Sequence, residues 1–334
     1  MSEMWVQMVK PTIISVFAGG GGSSLGYKWA GFEELLAIDF DKNCCETLKA
    51  NFDFPVWQRD IKEITVNEIL EFCKIGKNKL DILDGSPPCQ GFSISGKRII
   101  SDPRNDLFLD FVRLIEGLQP KIFVMENVSG MMKGKMKGKF NEILKDLKRT
   151  GYNVKCKLMN AMWYEVPQSR ERLFFLGIRN DLRIEPSFPK PLKSFITFNE
   201  SIKGIKENIL PSGLSPYFLK WVSYMKAGES VADIIKQNKY FQTKRIYGNK
   251  VCPTITKMGG SSGFGSLIHP TEDRVLSEKE LLMVCSFPEN YKLNGTYEEK
   301  KARLGNAVMP KMMFHIAKNI KENILNKIES KECN

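Results

Sequence analysis

The chain has 334 residues, of which 42% are hydrophobic and 26% charged, a balance typical of a folded protein and not of a disordered one. No apolar run reaches the roughly 18 residues of a membrane span, and the first residues lack the apolar core of a signal peptide, so we expect a cytoplasmic protein with no membrane partner. The net charge of +12 favours a polyanionic partner.

Short apolar runs alternate with helical patterns in the first half of the chain. TIISVF (12–17) predicts a buried strand, the four glycines that follow predict a tight turn, and Ser23 or Ser24 is the expected start of a helix. Further strands are predicted in ELLAID, PVWQRD, KLDILDG, KIFVMEN, GYNVKCKLMNA and RLFFLGI. This alternation favours an α/β fold with a doubly wound, mostly parallel sheet.

The pattern changes after Asn180, where prolines interrupt the chain. Between Ser187 and His269 there are 12 Lys and Arg against 4 Asp and Glu. Helical spacing returns in SEKELLMVCSF and in MPKMMFHIAKNIKENIL. We therefore predict a first domain over 1–180, a second, smaller, irregular domain over 181–269, and a segment over 270–334 that returns to the first domain.

The glycine turn predicts a cofactor site. Glycines after a first strand let a ligand approach the backbone, and the next helix presents its positive N-terminus. Asp39 ends the second strand, where a carboxylate can accept hydrogen bonds from ribose hydroxyls. Phe17 could lie against an adenine and Asp60 could bind its amino group. The pattern fits any adenosine cofactor, NAD and S-adenosylmethionine alike.

The stretch GSPPCQGFSISG predicts a nucleophile. Pro88 fixes the backbone directly before Cys89, and small and polar residues follow in a stretch typical of a closing loop. Cys89 and Glu126 both fall at predicted strand ends, where ligands of an open parallel sheet bind. A buried core cysteine is the alternative interpretation of Cys89.

Cysteine and histidine spacing argues against metal chemistry. None of the eight cysteines forms a C-x-x-C pair, and neither His269 nor His315 has a neighbouring ligand. We predict no metal site and no disulfide framework.

The motifs together resemble the DNA (cytosine-5) methyltransferase family of the bacterial restriction–modification type. The resemblance rests on FAGGGG, GSPPCQGFS, ENV, QSRER and LGNAVMP, which follow one another in the family's order between Thr12 and about Ile316. It implies the Rossmann-like fold of S-adenosylmethionine-dependent methyltransferases, and it makes NAD an improbable cofactor. It also implies that 1–180 is the catalytic and cofactor-binding domain and that 181–269 is the target-recognition domain.

The family's roles, carried onto this chain, define the expected site. The catalytic residues would be Cys89, Glu126, Arg170 and Arg172, with Cys89 attacking carbon 6 of a flipped-out cytosine. S-adenosylmethionine, which leaves as S-adenosylhomocysteine, would be bound without a metal by Phe17, Gly19, Gly20, Gly21, Gly22, Asp39, Phe40, Asp60, Ile61, Pro88, Leu107, Asn306 and Ala307. DNA contacts are expected from Gln90, Ser93, Ser95, Lys97, Arg98, Lys244, Arg245, Lys250 and Lys257.

Other functions remain as alternatives. The runner-up is a tRNA cytosine-5 methyltransferase of the same architecture, which would lack a sizeable sequence-reading domain. A catalytically silent DNA-binding protein would not need Cys89, Glu126 and Arg170 together, and a nicotinamide oxidoreductase lacks an acid–base histidine or tyrosine pairing. The expected partners are double-stranded DNA and, acting separately, a cognate restriction endonuclease; we expect a monomer.

Overall fold

The computed structural model describes residues 10–88, 106–132, 137–205, 214–236, 243–257 and 265–332. A seven-stranded sheet in the order β3-β2-β1-β4-β5-β7-β6 lies at its centre. Its strands are Thr12–Val16 (β1), Glu33–Asp39 (β2), Val56–Gln58 (β3), Ile82–Gly85 (β4), Ile122–Val128 (β5), Tyr152–Asn160 (β6) and Glu171–Arg179 (β7). Only β7 runs antiparallel to its neighbours in this sheet, so the predicted mostly parallel, doubly wound sheet is confirmed.

Helices cover both faces of the sheet. The helices in chain order are Gly22–Trp29 (α1), Lys42–Asn51 (α2), Val66–Cys73 (α3), Asp106–Leu118 (α4), Lys137–Arg149 (α5), Phe198–Ser201 (α6), Pro216–Val222 (α7), Val231–Ile235 (α8), Glu278–Val284 (α9), Tyr297–Asn306 (α10), Pro310–Ile320 (α11) and Asn326–Glu332 (α12). One hydrophobic cluster joins the sheet to α1 and α11, and a second joins the opposite face to α3, α4 and α5. No helix in these ranges has the length and apolarity needed to cross a membrane.

Reciprocal caps define where several helices begin. At the start of α9, the Ser277 side chain accepts from the backbone N–H of Glu280, whose carboxylate accepts from the backbone N–H of Ser277. The same capping box begins α3, α6, α8 and α10. Each pair satisfies two backbone donors that a helix N-terminus leaves free.

Some boundaries differ from the sequence prediction. Helix α1 begins at Gly22, before the expected serines, because left-handed Gly21 ends the turn directly ahead of it. Strand β5 continues past Glu126 to Val128, because β7 pairs with it to that point. The C-terminal helical pattern is divided by a π-helical segment at Lys321–Leu325.

The region after Asn180 is irregular within the described ranges. It contains α6, α7, α8 and two two-residue strands, Lys244–Arg245 (β8) and Leu267–Ile268 (β9). Phe218, Val222 and Ile268 belong to a small hydrophobic cluster of this region. Phe198, Cys252 and Ile255 belong instead to the large cluster under α1 and α11. The domain boundaries at 181 and 269 stay a prediction.

Candidate active site

The glycine turn joins β1 to α1 and leaves room for a ligand. Gly19 and Gly21 have φ of +56° and +80°, which favour glycine. A side chain on Gly19 would meet no atom within 4 Å, whereas one on Gly21 would lie 2.6 Å from the Tyr291 hydroxyl oxygen. The turn is therefore open toward Gly19 and closely supported beneath Gly21.

Asp39 at the end of β2 holds this turn. Its carboxylate accepts from the backbone N–H of Gly19 at 2.8 Å and of Asp41 at 2.9 Å. Burial raises the pKa of Asp39, and these backbone donors oppose that rise. The neighbouring Phe40 side chain is 71% exposed. The structure thus places a fixed carboxylate and an uncovered ring beside the open part of the turn.

The other predicted cofactor residues lie on several elements around this edge. Asp60 caps a short 3-10 turn by accepting from the Lys62 N–H at 3.0 Å. Phe17, at φ +54°, Ile61 and Leu107 join the hydrophobic cluster on the α4 face. Pro88 is half-buried, Asn306 is exposed and Ala307 is buried. Their contacts with a cofactor stay predictions.

The C-terminal segment supports the turn from below. The Tyr291 hydroxyl donates to the carbonyl oxygen of Gly20 at 2.7 Å. A side chain on Gly20 would meet the Arg303 side chain at 2.7 Å, and Gly22 lies against the Val308 carbonyl. Sequence reasoning missed Tyr291 and Arg303, because no local pattern in the sequence distinguishes them from other residues in and between the C-terminal helices.

Glu126 and Arg172 form a buried ion pair at the carboxyl end of β5. Arg172 Nε lies 2.8 Å from Glu126 Oε1, and Glu126 is 7% exposed. Burial lowers the pKa of Arg172, and the Glu126 charge opposes this decrease. Arg172 also donates to the carbonyl of Glu171 at 2.8 Å. The pair can orient a proton donor or acceptor toward a ligand at this edge.

The predicted nucleophile, Cys89, lies outside the described residues, as do Gln90, Ser93, Ser95, Lys97 and Arg98. The described chain reaches Pro88. Just before it, the buried carbonyl of Pro87 accepts from the Asn127 side chain at 3.3 Å. Asn127 directly follows Glu126, so the end of β5 is bonded to the backbone that leads to Cys89.

Arg170 occupies a different environment from the one expected. Its side chain is fully buried, and its guanidinium donates to the carbonyls of Ile255 (2.9 Å), Gly305 (2.7 Å) and Ala307 (3.1 Å). Burial and the nearby Arg172 charge both lower the pKa of Arg170. Arg170 therefore links three chain segments. A contact between Arg170 and the target cytosine stays a prediction.

Gln168 adds to the same connection. Its side-chain oxygen accepts from the Ile255 N–H at 3.1 Å, and its amide donates to the Val284 carbonyl at 3.4 Å. The backbone of Cys252 forms hydrogen bonds with Pro167 and Ser169. Residues 252–255 therefore lie alongside residues 167–170, which lead directly into β7 and Arg172.

The predicted DNA contacts divide by exposure. Lys250 and Lys257 are exposed; the Lys250 ammonium lies 4.0 Å from the centre of the Tyr247 ring, and the Lys257 backbone lies against Gly305. Lys244 is half-buried in β8. These three remain candidates for DNA contact.

Arg245 lies in a different environment from the exposed one that a DNA contact would need. It is only 4% exposed, donates to the carbonyls of Val222 and His269, and is paired with Asp273. The guanidinium is thus bound inside the protein and links parts of the region after Asn180, and a contact of Arg245 with DNA stays a prediction. The sequence position beside Lys244 could not reveal these partners.

Comparisons with known proteins agree with the motifs. The family model described as C-5 cytosine-specific DNA methylase matches residues 11–322. The chain is 32% identical to Type II methyltransferase M1.HphI of Haemophilus parahaemolyticus, over 96% of this chain and 89% of that protein. It is also 32% identical to Type II methyltransferase M.FnuDI of Fusobacterium nucleatum, over 96% of this chain and 97% of that protein.

Solved structures share the fold. A prophage-encoded E. coli protein described as a DNA modification methyltransferase superposes with a TM-score of 0.79 at 24% identity. The superposition covers 95% of this chain and 100% of that one. A mutant of Spodoptera frugiperda DNMT2 superposes with a TM-score of 0.67 at 20% identity, covering 96% of this chain and 100% of that one.

Proposed function

Because the chain belongs to the C-5 cytosine-specific DNA methylase family, we propose that it transfers a methyl group from S-adenosylmethionine to carbon 5 of a flipped-out cytosine within a specific duplex DNA sequence. The observation that carries this proposal is the ion pair between Glu126 of β5 and Arg172 of β7. Strand β5 is paired with β4, the strand that leads to Cys89. An acid held beside a cysteine nucleophile is what carbon-5 methylation requires.

The residues around the glycine turn fit the cofactor. Gly19 faces open space, the first turn of α1 offers backbone N–H groups to a carboxylate, and Asp39 is fixed where ribose hydroxyls can reach it. The exposed ring of Phe40 offers a surface for an adenine. When bound, S-adenosylmethionine supplies an electrophilic methyl group on a sulfonium, which needs no metal for its transfer.

Cys89 starts the reaction on the cytosine ring. Its thiolate adds to carbon 6, and ring electrons move toward N3, where a proton from Glu126 balances the charge. The enamine so formed makes carbon 5 nucleophilic, and carbon 5 takes the methyl group. A base or water then removes the carbon-5 proton, the ring double bond returns as the Cys89 thiolate leaves, and N3 gives its proton back to Glu126.

The arginines have separate roles in this proposal. Arg172 orients Glu126 through the 2.8 Å ion pair and can face the base beside it. Arg170 keeps β7, residues 252–255 and the segment after α10 in place through its three carbonyl contacts. Arg170 thus acts through the backbone that positions Arg172.

The region 181–269 reads the DNA sequence in this proposal. Its excess of Lys and Arg supplies affinity through phosphate contacts, and base-edge contacts supply specificity. The names of the relatives support a place beside a restriction endonuclease, which would act separately. We place the enzyme in the cytoplasm, as a monomer working on the cell's own DNA.

Bisulfite sequencing of DNA from cells that express the chain tests the proposal. We expect methylcytosine at one recurrent sequence, and none in cells that express Cys89→Ala. Purified enzyme with radiolabelled S-adenosylmethionine, offered duplex DNA and tRNA in parallel, separates the two substrates. Label in tRNA alone would favour the alternative of a tRNA methyltransferase, and label in neither would contradict the proposal.

A further inference from the structure

Strand β6 brings a further part of the chain to the edge of the sheet where Arg172 lies. Arg172 of β7 is the register partner of Val128 at the end of β5 and of Met159 near the end of β6. Neighbouring strands are about 4.8 Å apart, so the end of β6 lies roughly 10 Å from that of β5. Trp163 ends the 3-10 turn that directly follows β6. The edge formed by the ends of β5 and β6 and by the start of β7, the catalytic edge, therefore extends to Trp163.

The segment that follows β7 runs alongside β6 toward this edge. The Glu185 carboxylate accepts from the Asn153 side chain at 2.9 Å, near the start of β6. Further on, the carbonyl of Pro189 accepts from side chains on β6 and just after it. The Leu192 N–H then donates to the carbonyl of Trp163 at 3.0 Å. These contacts hold the residues around Leu192 at the catalytic edge.

Residues 190–195, KPLKSF, form an exposed strip at this position. Leu192 is 38% exposed and Phe195 is 47% exposed, so two large apolar side chains are open to a partner. The Phe195 ring lies 6.2 Å from the half-buried Trp163 ring, centre to centre. Neighbouring exposed apolar groups mark an interaction surface more often than isolated ones do.

The strip is also positively charged. Lys190 and Lys193 are the only charged residues within 186–199, and among the residues that the structure describes neither lysine has an ion-pair partner. Just after the strip, the Phe198 N–H donates to the carbonyl of Lys250 at 2.9 Å, and Lys250 is an exposed candidate for DNA contact. The strip therefore connects the catalytic edge with Lys250, and its charge complements a polyanion.

We propose that the 190–195 strip binds the DNA duplex beside the target cytosine, with Lys190 and Lys193 against phosphates and Phe195 against a deoxyribose. The inference rests on the proposed function, because it places the same duplex along the catalytic edge. The roughly 10 Å between the ends of β5 and β6 correspond to about three base pairs of duplex, at about 3.4 Å each. The strip thus contacts DNA at least that far from the flipped-out base, and its phosphate contacts supply affinity and not sequence information.

The test pairs the loss of a lysine charge with the loss of a phosphate charge. Lys190→Gln/Lys193→Gln should reduce the salt slope of duplex binding by about two units, because two phosphate contacts are lost. Neutral methylphosphonates, placed one at a time at successive phosphates on either side of the target, should weaken wild-type binding at about three or more steps from it. The same substitutions should have no further effect on the double variant.

Lys77→Gln/Lys79→Gln is the matched control. It removes the same charge from two exposed lysines that lie just before β4, at the opposite edge of the sheet. This control should keep the wild-type salt slope and the full sensitivity to methylphosphonates. Phe195→Ala tests the same strip without a change in charge: duplex binding should weaken severalfold while the salt slope stays as in the wild type.

The outcomes separate this inference from the proposed function. Methyl transfer is measured on the same duplexes, and wild-type enzyme without cytosine-5 methylation would contradict the function itself. An active wild type beside a double variant with an unchanged salt slope and unchanged methylphosphonate sensitivity would overturn only the role of the strip. A wild-type dimer that Phe195→Ala dissociates, seen by analytical ultracentrifugation without DNA, would assign the strip to a second copy of the chain and would also overturn that role.

Discussion

The Arg170 guanidinium donates a 2.7 Å hydrogen bond to the carbonyl oxygen of Gly305, 135 residues further along the chain. Its other contacts, with Ile255 and Ala307, place the same cation among three segments that are distant in sequence. A buried guanidinium that satisfies several carbonyls contributes mainly to stability and to the position of its neighbours.

Arg170→Lys should therefore lower the melting temperature. Lysine keeps the charge but cannot reach three carbonyls in the fork geometry of arginine, so we expect a decrease of roughly 5 °C or more. Calorimetry of this variant beside Arg149→Lys, which changes an exposed arginine, measures the effect. An unchanged melting temperature with a strongly reduced kcat would instead assign Arg170 to the cytosine.

Cys89→Ala should abolish methyl transfer and leave DNA binding intact, because the exposed Lys250 and Lys257 remain. Duplex DNA with 5-fluorocytosine at the target should trap the wild type covalently, since fluorine cannot leave as a cation. Glu126→Gln should slow transfer by about 10²–10⁴. Denaturing gels detect the covalent complex between enzyme and DNA. Methylation that persists in Cys89→Ala would contradict the assignment of Cys89 as the nucleophile.

Tyr291→Phe should weaken S-adenosylmethionine binding. The change leaves the Gly20 carbonyl without its donor, which costs about 1 kcal/mol and corresponds to roughly fivefold in Kd. Tyr297→Phe is the control, since it removes a similar bond, to the Leu276 carbonyl, away from the turn. Titration calorimetry should show weaker binding in the first variant alone; equal Kd values in both would contradict the support of the turn by Tyr291.

Lys257→Gln should weaken binding to every DNA sequence and reduce the salt slope by about one unit, because Lys257 is an exposed candidate for a phosphate contact. Arg245→Gln should act differently: it breaks a buried set of hydrogen bonds, so the melting temperature should fall. Binding assays across salt concentrations and thermal unfolding of both variants separate the two roles. A reduced salt slope in a fully stable Arg245→Gln would instead support Arg245 as a DNA contact.

Glu34→Gln should stabilise the protein increasingly as pH rises. The folded pKa of Glu34 is raised to about 8, so between its unfolded value and that pH the folded state holds a proton that the unfolded state has lost. Stability of the wild type therefore falls as pH rises through this window, and the variant lacks this loss. Thermal unfolding from about pH 5 to about pH 9 measures the difference, and parallel curves for both proteins would exclude a buried Glu34 with a raised pKa.

Local patterns predicted the sheet, because strand and turn signals are properties of neighbouring residues. The glycine turn and Asp39 were found for the same reason, since both lie at strand ends. The partners of Arg170 and the burial of Arg245 depend on contacts between distant segments, which no local pattern contains. The sequence also contains an indication of a buried polar residue at Asp84, because an acid within the apolar run KLDILDG is unexpected in a buried strand.

Residues 252–255 are held against 167–170 largely through backbone atoms. The Ser169 N–H donates to the Cys252 carbonyl, and Gln168 and Arg170 bind the N–H and carbonyl of Ile255. Hydrogen bonds to a backbone do not depend on which side chains the segment carries. This junction should therefore tolerate changes in the side chains of residues 252–255. A graft that keeps the register at Cys252 and Ile255 should therefore leave the Glu126–Arg172 pair aligned, whatever side chains the inserted segment carries.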